Sequence, residues 1–403
     1  MWNNKNVWIL LIGEFIAGVG LWLGIIGNLE FMQAKVPSDF LKAIILAIGL
    51  LAGLAVGPLA GRVVDQMRKK TIMLVSGFAR TISVIFMFIA IQTGSLWWMI
   101  IFLILIEICA AFYFPALQAT IPLVVKEKDL LQVNGMFMNV SSVSRIIGTA
   151  SAGILLVIIS LSMLYFFSFV AYLGLFILTC FLTINDSKKE KTILGDMHSP
   201  RTGFKDVFPV IKERPIVLMT LMLSFVPLFF LGGFNLIIIN ISELQSSASI
   251  KGWIYTAEAI AFILGAFSVK QISHKCSSYT ILFLCSFVIG LSQLLLYFAQ
   301  IPVLSIIVFL LFGFSVGAFF PTVATIFQTS VPKDFHGRFF SFRIMLDGFI
   351  LQVALIITGF LLDIMRLQQM SVTFGTMSLT MTAIYFFQFR KRKTQFELKE
   401  KIS

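Results

Sequence analysis

The stretch NVWILLIGEFIAGVGLWLGIIGNL at 6–29 holds one ionisable residue, Glu14, in an otherwise apolar run. A bilayer core of about 30 Å is crossed by about 20 apolar residues as a single α-helix. Backbone groups in lipid must be bonded within their own segment, and the ten-residue alternation of a membrane barrel is absent, so the run reads as a spanning helix. It is too long for a signal-peptide core and lacks a small-residue cleavage site, so it is expected to stay. Runs of the same kind recur at 41–61, 71–92, 96–121, 135–159, 162–184, 215–241, 252–271, 278–299, 302–327, 338–362 and 370–389. The reading is an all-α polytopic membrane protein with twelve transmembrane helices.

Composition agrees with lipid as the solvent. Hydrophobic residues make up 58% of the 403 positions and charged ones 12%, with 43 phenylalanines and 17 methionines. That much apolar area cannot be hidden in soluble cores, so a soluble enzyme, a secreted disulfide module and a disordered tail are excluded together. The net charge of +12 first suggests nucleic acid, yet the basic residues are not interleaved with aromatics on a polar surface, and no nucleic-acid partner is expected. Cys109, Cys180, Cys276 and Cys285 have no CxxC spacing, and His198, His274 and His336 lie far apart. Neither a metal centre nor a cofactor is therefore expected. The strings GxxxxGK[ST], HExxH and GxSxG do not occur. The chain reads as a non-enzyme without catalytic residues, moved by an ion gradient rather than by ATP.

The basic residues record topology. Apart from Lys35, Lys42, Lys251 and Arg366 on one side, and Arg80, Arg145 and Arg343 inside helices, every Lys and Arg falls in the termini or in the loops after even-numbered helices. By the positive-inside rule both termini are cytoplasmic, in a multi-pass protein of the cell membrane. The organisation expected is a six-helix bundle at 1–184, a cytoplasmic linker at 185–214, a second bundle at 215–389 and a basic tail at 390–403. At the end of the linker FKDVFPVIK sets Phe204, Val207, Phe208 and Ile211 at helical spacing, as a helix lying in the interface does, although Pro209 also suits a plain loop. The halves echo one another. Gly57 and Gly265 lie 208 apart, and Pro115 and Pro321, like Gly153 and Gly359, lie 206 apart. Pseudo-symmetric halves are the arrangement of a transporter that alternates access around a midplane site.

The most specific string is GPLAGRVVDQMRKK at 57–70. It resembles the loop 2–3 signature of the major facilitator superfamily, in the GPxAGxxxDxxxRK form of the macrolide-efflux-like branch. FPALQATIPLVVKEKDLLQVNG at 114–135 and FPTVATIFQTSVPKDFHGRFFS at 320–341 are similar to the same branch. The resemblance implies that Gly57, Gly61, Arg62, Asp65, Arg68 and Lys69 belong to a cytoplasmic gate, with Gly57 and Gly61 letting helix 2 approach a neighbour. The bland alternative is that the basic residues only hold topology. The matching second-half stretch, GAFSVKQISHKC, keeps Gly265 and Lys270 without the acidic residue, which implies asymmetric gating. The resemblance also implies that helices 1, 4, 5, 7, 8, 10 and 11 border the cavity while helix 3 is peripheral. RIIGTASAG at 145–153 is only loosely similar to the glycine-proline motif of drug/proton antiporters, because the proline is missing.

An ionisable residue at a helix centre costs about 2.5–3.5 kcal/mol on insertion scales, so each one asks for a partner or a purpose. Glu14 is a candidate for proton or cation handling, against a neutral carboxyl bonded to a neighbouring backbone. Glu107 and Arg145, at similar depth on successive antiparallel helices, are expected to meet, as a structural ion pair or a switchable one. Arg343 and Asp347 share a face of helix 11 and suit structure or gating. Glu258 is a further cavity candidate, and Arg80 is expected to snorkel or to brace the gate. Phe225, Phe229, Phe230 and Phe234, with Phe312, Phe314, Phe319 and Phe320, suit packing first and a drug pocket second. The functional expectation is a monomeric secondary transporter exporting amphipathic or hydrophobic, macrolide-like small molecules against protons or another coupling cation. Import, or handling of a lipid-like substrate, is the alternative within the fold. A sensor or membrane enzyme without flux is the alternative outside it.

Overall fold

The computed structural model describes residues 4–126, 129–184, 207–332 and 336–402. Its helices are α1 (Lys5–Lys35), α2 (Asp39–Gln66), α3 (Lys69–Thr93), α4 (Leu96–Val124), α5 (Leu130–Ile158), α6 (Leu161–Cys180), the short α7 (Val207–Glu213), α8 (Pro215–Leu244), α9 (Ser249–Ser273), α10 (Ser278–Leu295), α11 (Pro302–Ser330), α12 (His336–Ile364) and α13 (Leu367–Ile402). Among the described residues 12 of these are long and apolar enough to cross a membrane. Of the expected linker at 185–214, residues 185–206 lie outside the described residues. Val207–Glu213 is helical, with Pro209 in the first turn, where its missing N–H costs nothing. α13 runs through the expected basic tail as far as Ile402.

Local chemistry sets the helix ends. The side chains of Ser38, Ser160 and Ser277 accept from the backbone N–H groups of Leu41, Met163 and Thr280, capping α2, α6 and α10. Pro215 and Pro302 open α8 and α11, a position that lacks an intrahelical partner anyway. Gly94, at φ 66°, ends α3 in the left-handed conformation. Within the helices, hydroxyls bond back to carbonyls four residues earlier, as Thr81 does to Gly77 and Thr322 to Ala318. Such bonds keep a polar side chain satisfied where no water is available.

The chain divides into two compact units, Met1–Gly195 with Ser246–Thr256, and Asp196–Gln245 with Ala257–Ser403. In the first unit α1 packs on α5 and α6, α2 on α4, and α3 on α4 and α6. In the second unit α8 packs on α12 and α10 on α11 and α13, while Gly265, Gly313 and Gly317 bring α9 against α11. The pairings α1·α5, α2·α4 and α3·α6 thus recur as α8·α12, α9·α11 and α10·α13, so the echo in the sequence has a counterpart in packing. Small residues make the approaches close. A methyl group added at Gly232 of α8 would lie 2.6 Å from the Leu351 carbonyl oxygen of α12, and one at Gly20 of α1 would lie 2.6 Å from Ala171 of α6.

Candidate functional site

Along α3 the residues Met73, Ser76, Gly77, Arg80, Ser83, Val84, Met87 and Ala90 are buried, a stripe at three- and four-residue spacing that places Arg80 inside the first unit. Arg80 is only 3% exposed. Of the two expectations for Arg80, snorkelling is corrected: the small residues around it let α3 sit against α4 and α6, and the side chain is buried between them. Three rings surround it instead. Its guanidinium carbon lies 5.3 Å from the centroid of Tyr113, 5.8 Å from Phe114 and 5.4 Å from Tyr172, within the range of cation–π attraction.

Two carboxyls lie within electrostatic reach of this guanidinium. Arg80 is the positive charge that acts on Glu14 of α1 and on Glu107 of α4. Glu14 is also an electrostatic neighbour of Tyr113, and Glu107 of Tyr172. Gly53 of α2 makes room for Glu107: a Cβ there would lie 3.3 Å from the Glu107 Cβ and 3.4 Å from its Oε2. The expected Glu107–Arg145 pair is not formed. α4 runs along α2 and α3 and only grazes α5, so equal depth on successive helices does not bring the side chains together. Arg145 stands over the Trp22 ring at 4.8 Å, and Trp22 in turn meets Tyr255.

The other candidates are dispersed. Arg343 and Asp347 form the expected ion pair at 3.4 Å on α12, with the Arg343 guanidinium 4.8 Å from the Phe327 ring. Glu258 is buried on α9, its carbonyl oxygen facing Gly313 of α11. Gly57 and Gly61 have nothing within 4 Å of an added Cβ, so the close approach expected of them is made by Gly53 and Gly49, about one and two turns before Gly57. Arg62 and Arg68 are exposed and Lys69 is half-buried. The Asp65 side chain lies outside the described residues. Lys70 donates to the Cys180 carbonyl at 2.8 Å.

An ion pair made by a buried lysine was not anticipated. Lys251, in the part of α9 that belongs to the first unit, is fully buried and donates to Glu30 Oε2 of α1 at 2.6 Å. Thr149 and Thr256 share a hydrogen bond of 2.9 Å nearby in sequence, and Gly153 of α5 faces Gly252. Of the phenylalanines, Phe230, Phe234, Phe309 and Phe312 form one buried aromatic cluster in the second unit, the Phe230 and Phe312 centroids 4.2 Å apart. Phe225 and Phe229 line a crevice with Phe374, Met377 and Met381. Among the described residues no group of three or more His, Cys, Asp or Glu side chains is placed to hold a metal.

The arrangement is that of a membrane-embedded bundle with ionisable groups inside it, and comparison with known proteins agrees. The family description "Major Facilitator Superfamily" matches residues 10–242 and 223–402. The MFS-type transporter YfiS of Bacillus subtilis (strain 168) is 25% identical over 358 residues, 84% of this chain and 82% of that protein. Macrolide efflux protein A of Streptococcus pyogenes is 29% identical over 132 residues, 31% of each chain. Among solved structures the nucleoside transporter NupG has a TM-score of 0.73 at 14% identity, covering 96% of this chain and 99% of that one. A bacterial homologue of the iron transporter ferroportin in the inward-facing state has a TM-score of 0.71 at 12% identity, covering 94% and 98%. The chain belongs to the major facilitator superfamily and is a membrane transporter, not an enzyme.

Proposed function

We propose that the protein is a secondary active exporter that couples inward proton movement to outward movement of amphipathic or hydrophobic small molecules, macrolide-like compounds among them, by alternating access. The observation that carries this reading is that two carboxyls, Glu14 of α1 and Glu107 of α4, stand half-buried within the apolar helices of the first unit, in electrostatic reach of the buried Arg80. A charge inside a membrane-spanning bundle is costly to hold, so binding and releasing a proton is the least costly way for a carboxyl there to change state. The likeness of part of the chain to macrolide efflux protein A supports the substrate class. In this reading the protein acts as a monomer in the cell membrane with both termini cytoplasmic. Arg145, Glu258 and Asp347 face the transport path, and Gly57, Gly61, Arg62, Asp65, Arg68, Lys69 and Arg343 form the cytoplasmic gate.

The test is direction and driving force. Inside-out membrane vesicles containing the full chain, given an acidic interior, are expected to take up radiolabelled erythromycin, and right-side-out vesicles to expel it. Uptake in the opposite sense favours import, the reading to which the missing proline in RIIGTASAG lends support. Indifference to the pH gradient removes proton coupling.

A further inference from the structure

α8 and α13 are the counterparts of α1 and α6 in the repeated packing, yet the two pairs meet differently. In the first unit small residues of α1 close the seam: a Cβ at Gly20 would lie 2.6 Å from Ala171 and one at Gly27 3.0 Å from the Tyr165 ring, while Ser168 donates to the Gly20 carbonyl at 2.9 Å. In the second unit a glycine draws α13 to α10 instead, a Cβ at Gly375 lying 2.7 Å from the Leu294 side chain. The side of α8 towards α13 carries Phe225, Val226 and Phe229, too bulky for such an approach. The two helices touch only lightly, and a crevice remains between them, lined further by Phe374, Met377 and Met381.

The crevice lies at hydrocarbon depth. Its walls fall inside the spans Pro215–Leu244 and Leu367–Lys391, and Met377, 53% exposed, stands at its rim. Its volume is about 270 Å³ even with the space open to the surroundings included, below the ~300–1,000 Å³ of pockets for drug-sized ligands, which suits one slender chain. Methionine side chains adapt to such an occupant. The seventh and twelfth spans run in opposite directions, and Phe229 meets Phe374 at 6.2 Å between ring centroids. Arg214, just before α8, and Arg390, near the end of the twelfth span, therefore stand at the same end of the crevice. At ~1.5 Å per residue they are about 14–17 Å along the helices from Phe225 and Met381, close to half of a ~30 Å core. Lys212, Arg214, Arg390 and Lys391 are exposed there, against one acid, Glu213. Arg214 is held by the Ser330 carbonyl and Arg390 by the Phe386 ring.

We propose that the crevice between α8 and α13 holds one acyl chain of an anionic phospholipid, whose headgroup phosphate meets the rim formed by Lys212, Arg214, Arg390 and Lys391. Basic residues beside a spanning helix attract anionic headgroups. The apolar walls give the chain a fixed seat, which the closed seam between α1 and α6 denies it. The site is independent of the direction of transport.

The test uses the full chain in phosphatidylcholine liposomes. Phosphatidylglycerol or phosphatidylcholine with a photoactivatable diazirine midway along one acyl chain is added, and adducts are mapped by mass spectrometry of peptides. Phosphatidylglycerol is expected to label the crevice segments 225–229 and 374–381 severalfold more than the α1–α6 seam, and severalfold more than phosphatidylcholine labels the crevice. Met377→Trp, which fills the crevice from its exposed rim, is expected to abolish crevice adducts of both lipids. Arg390→Gln combined with Lys391→Gln is expected to equalise the two lipids while chain labelling persists. If Met377→Trp does not fold, the comparison of the two seams in the wild type still decides the matter. Equal labelling of crevice and seam, unchanged labelling of a folded Met377→Trp, or a preference for phosphatidylglycerol that is absent or survives the double variant overturns the proposal. Labelling of the crevice by photoactivatable erythromycin that phosphatidylglycerol does not displace makes the substrate the occupant and overturns it as well.

Discussion

Gly61 and Gly265 both sit in glycine-bearing stretches near the ends of their helices, yet their surroundings differ. A methyl group at Gly61 meets nothing within 4 Å, whereas one at Gly265 would press on the Phe314 carbonyl group, 2.8 Å from its carbon and 3.0 Å from the Phe314 Cα. Gly61 is the cleaner probe of the signature string, because Gly57 precedes Pro58, whose ring restricts the residue before it. Replacing glycine by alanine in a helix gains about 0.8–1.0 kcal/mol of helix propensity at either site. That gain cancels in the comparison, leaving the overpacking at α11, about 1–3 kcal/mol. Gly61→Ala is therefore expected to unfold at or above the wild-type temperature, and Gly265→Ala lower than Gly61→Ala, by about 2–4 °C for each kcal/mol in a unit of this size. Thermal unfolding of the purified full chain in detergent, followed by tryptophan fluorescence, measures both. If open space at Gly61 is kept for closure of the gate, Gly61→Ala loses most of its flux while remaining folded. Equal destabilisation by the two variants, or undiminished flux in Gly61→Ala, would refute the assignment of these glycines to different tasks.

Further outcomes follow from the same packing. Phe312→Ala opens the buried cluster formed with Phe230 and Phe234 and is expected to cost about 3–5 kcal/mol in thermal unfolding, whereas Phe225→Ala, at the crevice, is expected to alter drug accumulation in cells more than stability. Glu30→Gln removes the carboxylate to which the buried Lys251 ammonium donates and is expected to lower the unfolding temperature, a loss that Glu30→Gln combined with Lys251→Met largely restores, as denaturation of single and double variants will show. Asp347→Asn removes a partly exposed i,i+4 ion pair worth about 0.3–0.5 kcal/mol, so a tenfold or greater fall in flux at unchanged stability identifies gating rather than support.

The helices were legible because apolar runs of membrane length are set by the bilayer and need no knowledge of partners. The Arg343–Asp347 pair was legible for a related reason: four residues along one helix fix a common face. What the chain did not disclose was which helix each face meets. Depth alone matched Glu107 with Arg145, but α4 lies along α2 and α3 and only grazes α5, and the charge that acts on Glu107 is that of Arg80. The signal existed in the spacing of Ser76, Gly77 and Ser83 around Arg80, small residues that mark a packed face rather than a lipid-facing one. Gly53 was hidden in the same way, since a glycine that seats a carboxyl looks in sequence like any other glycine in an apolar run. Lys251 read as a loop charge because it lies at a helix start, and only its contact with Glu30 shows it buried.

The central claim is that Glu14 and Glu107 link a proton gradient to transport. It is tested most directly by counting protons moved per erythromycin in liposomes containing the full chain, wild type against Glu14→Gln, Glu107→Gln and the double variant. The account predicts proton-driven accumulation in the wild type and none in the double variant, with erythromycin still equilibrating passively through it. Gradient-driven accumulation by the double variant at the wild-type level would contradict it.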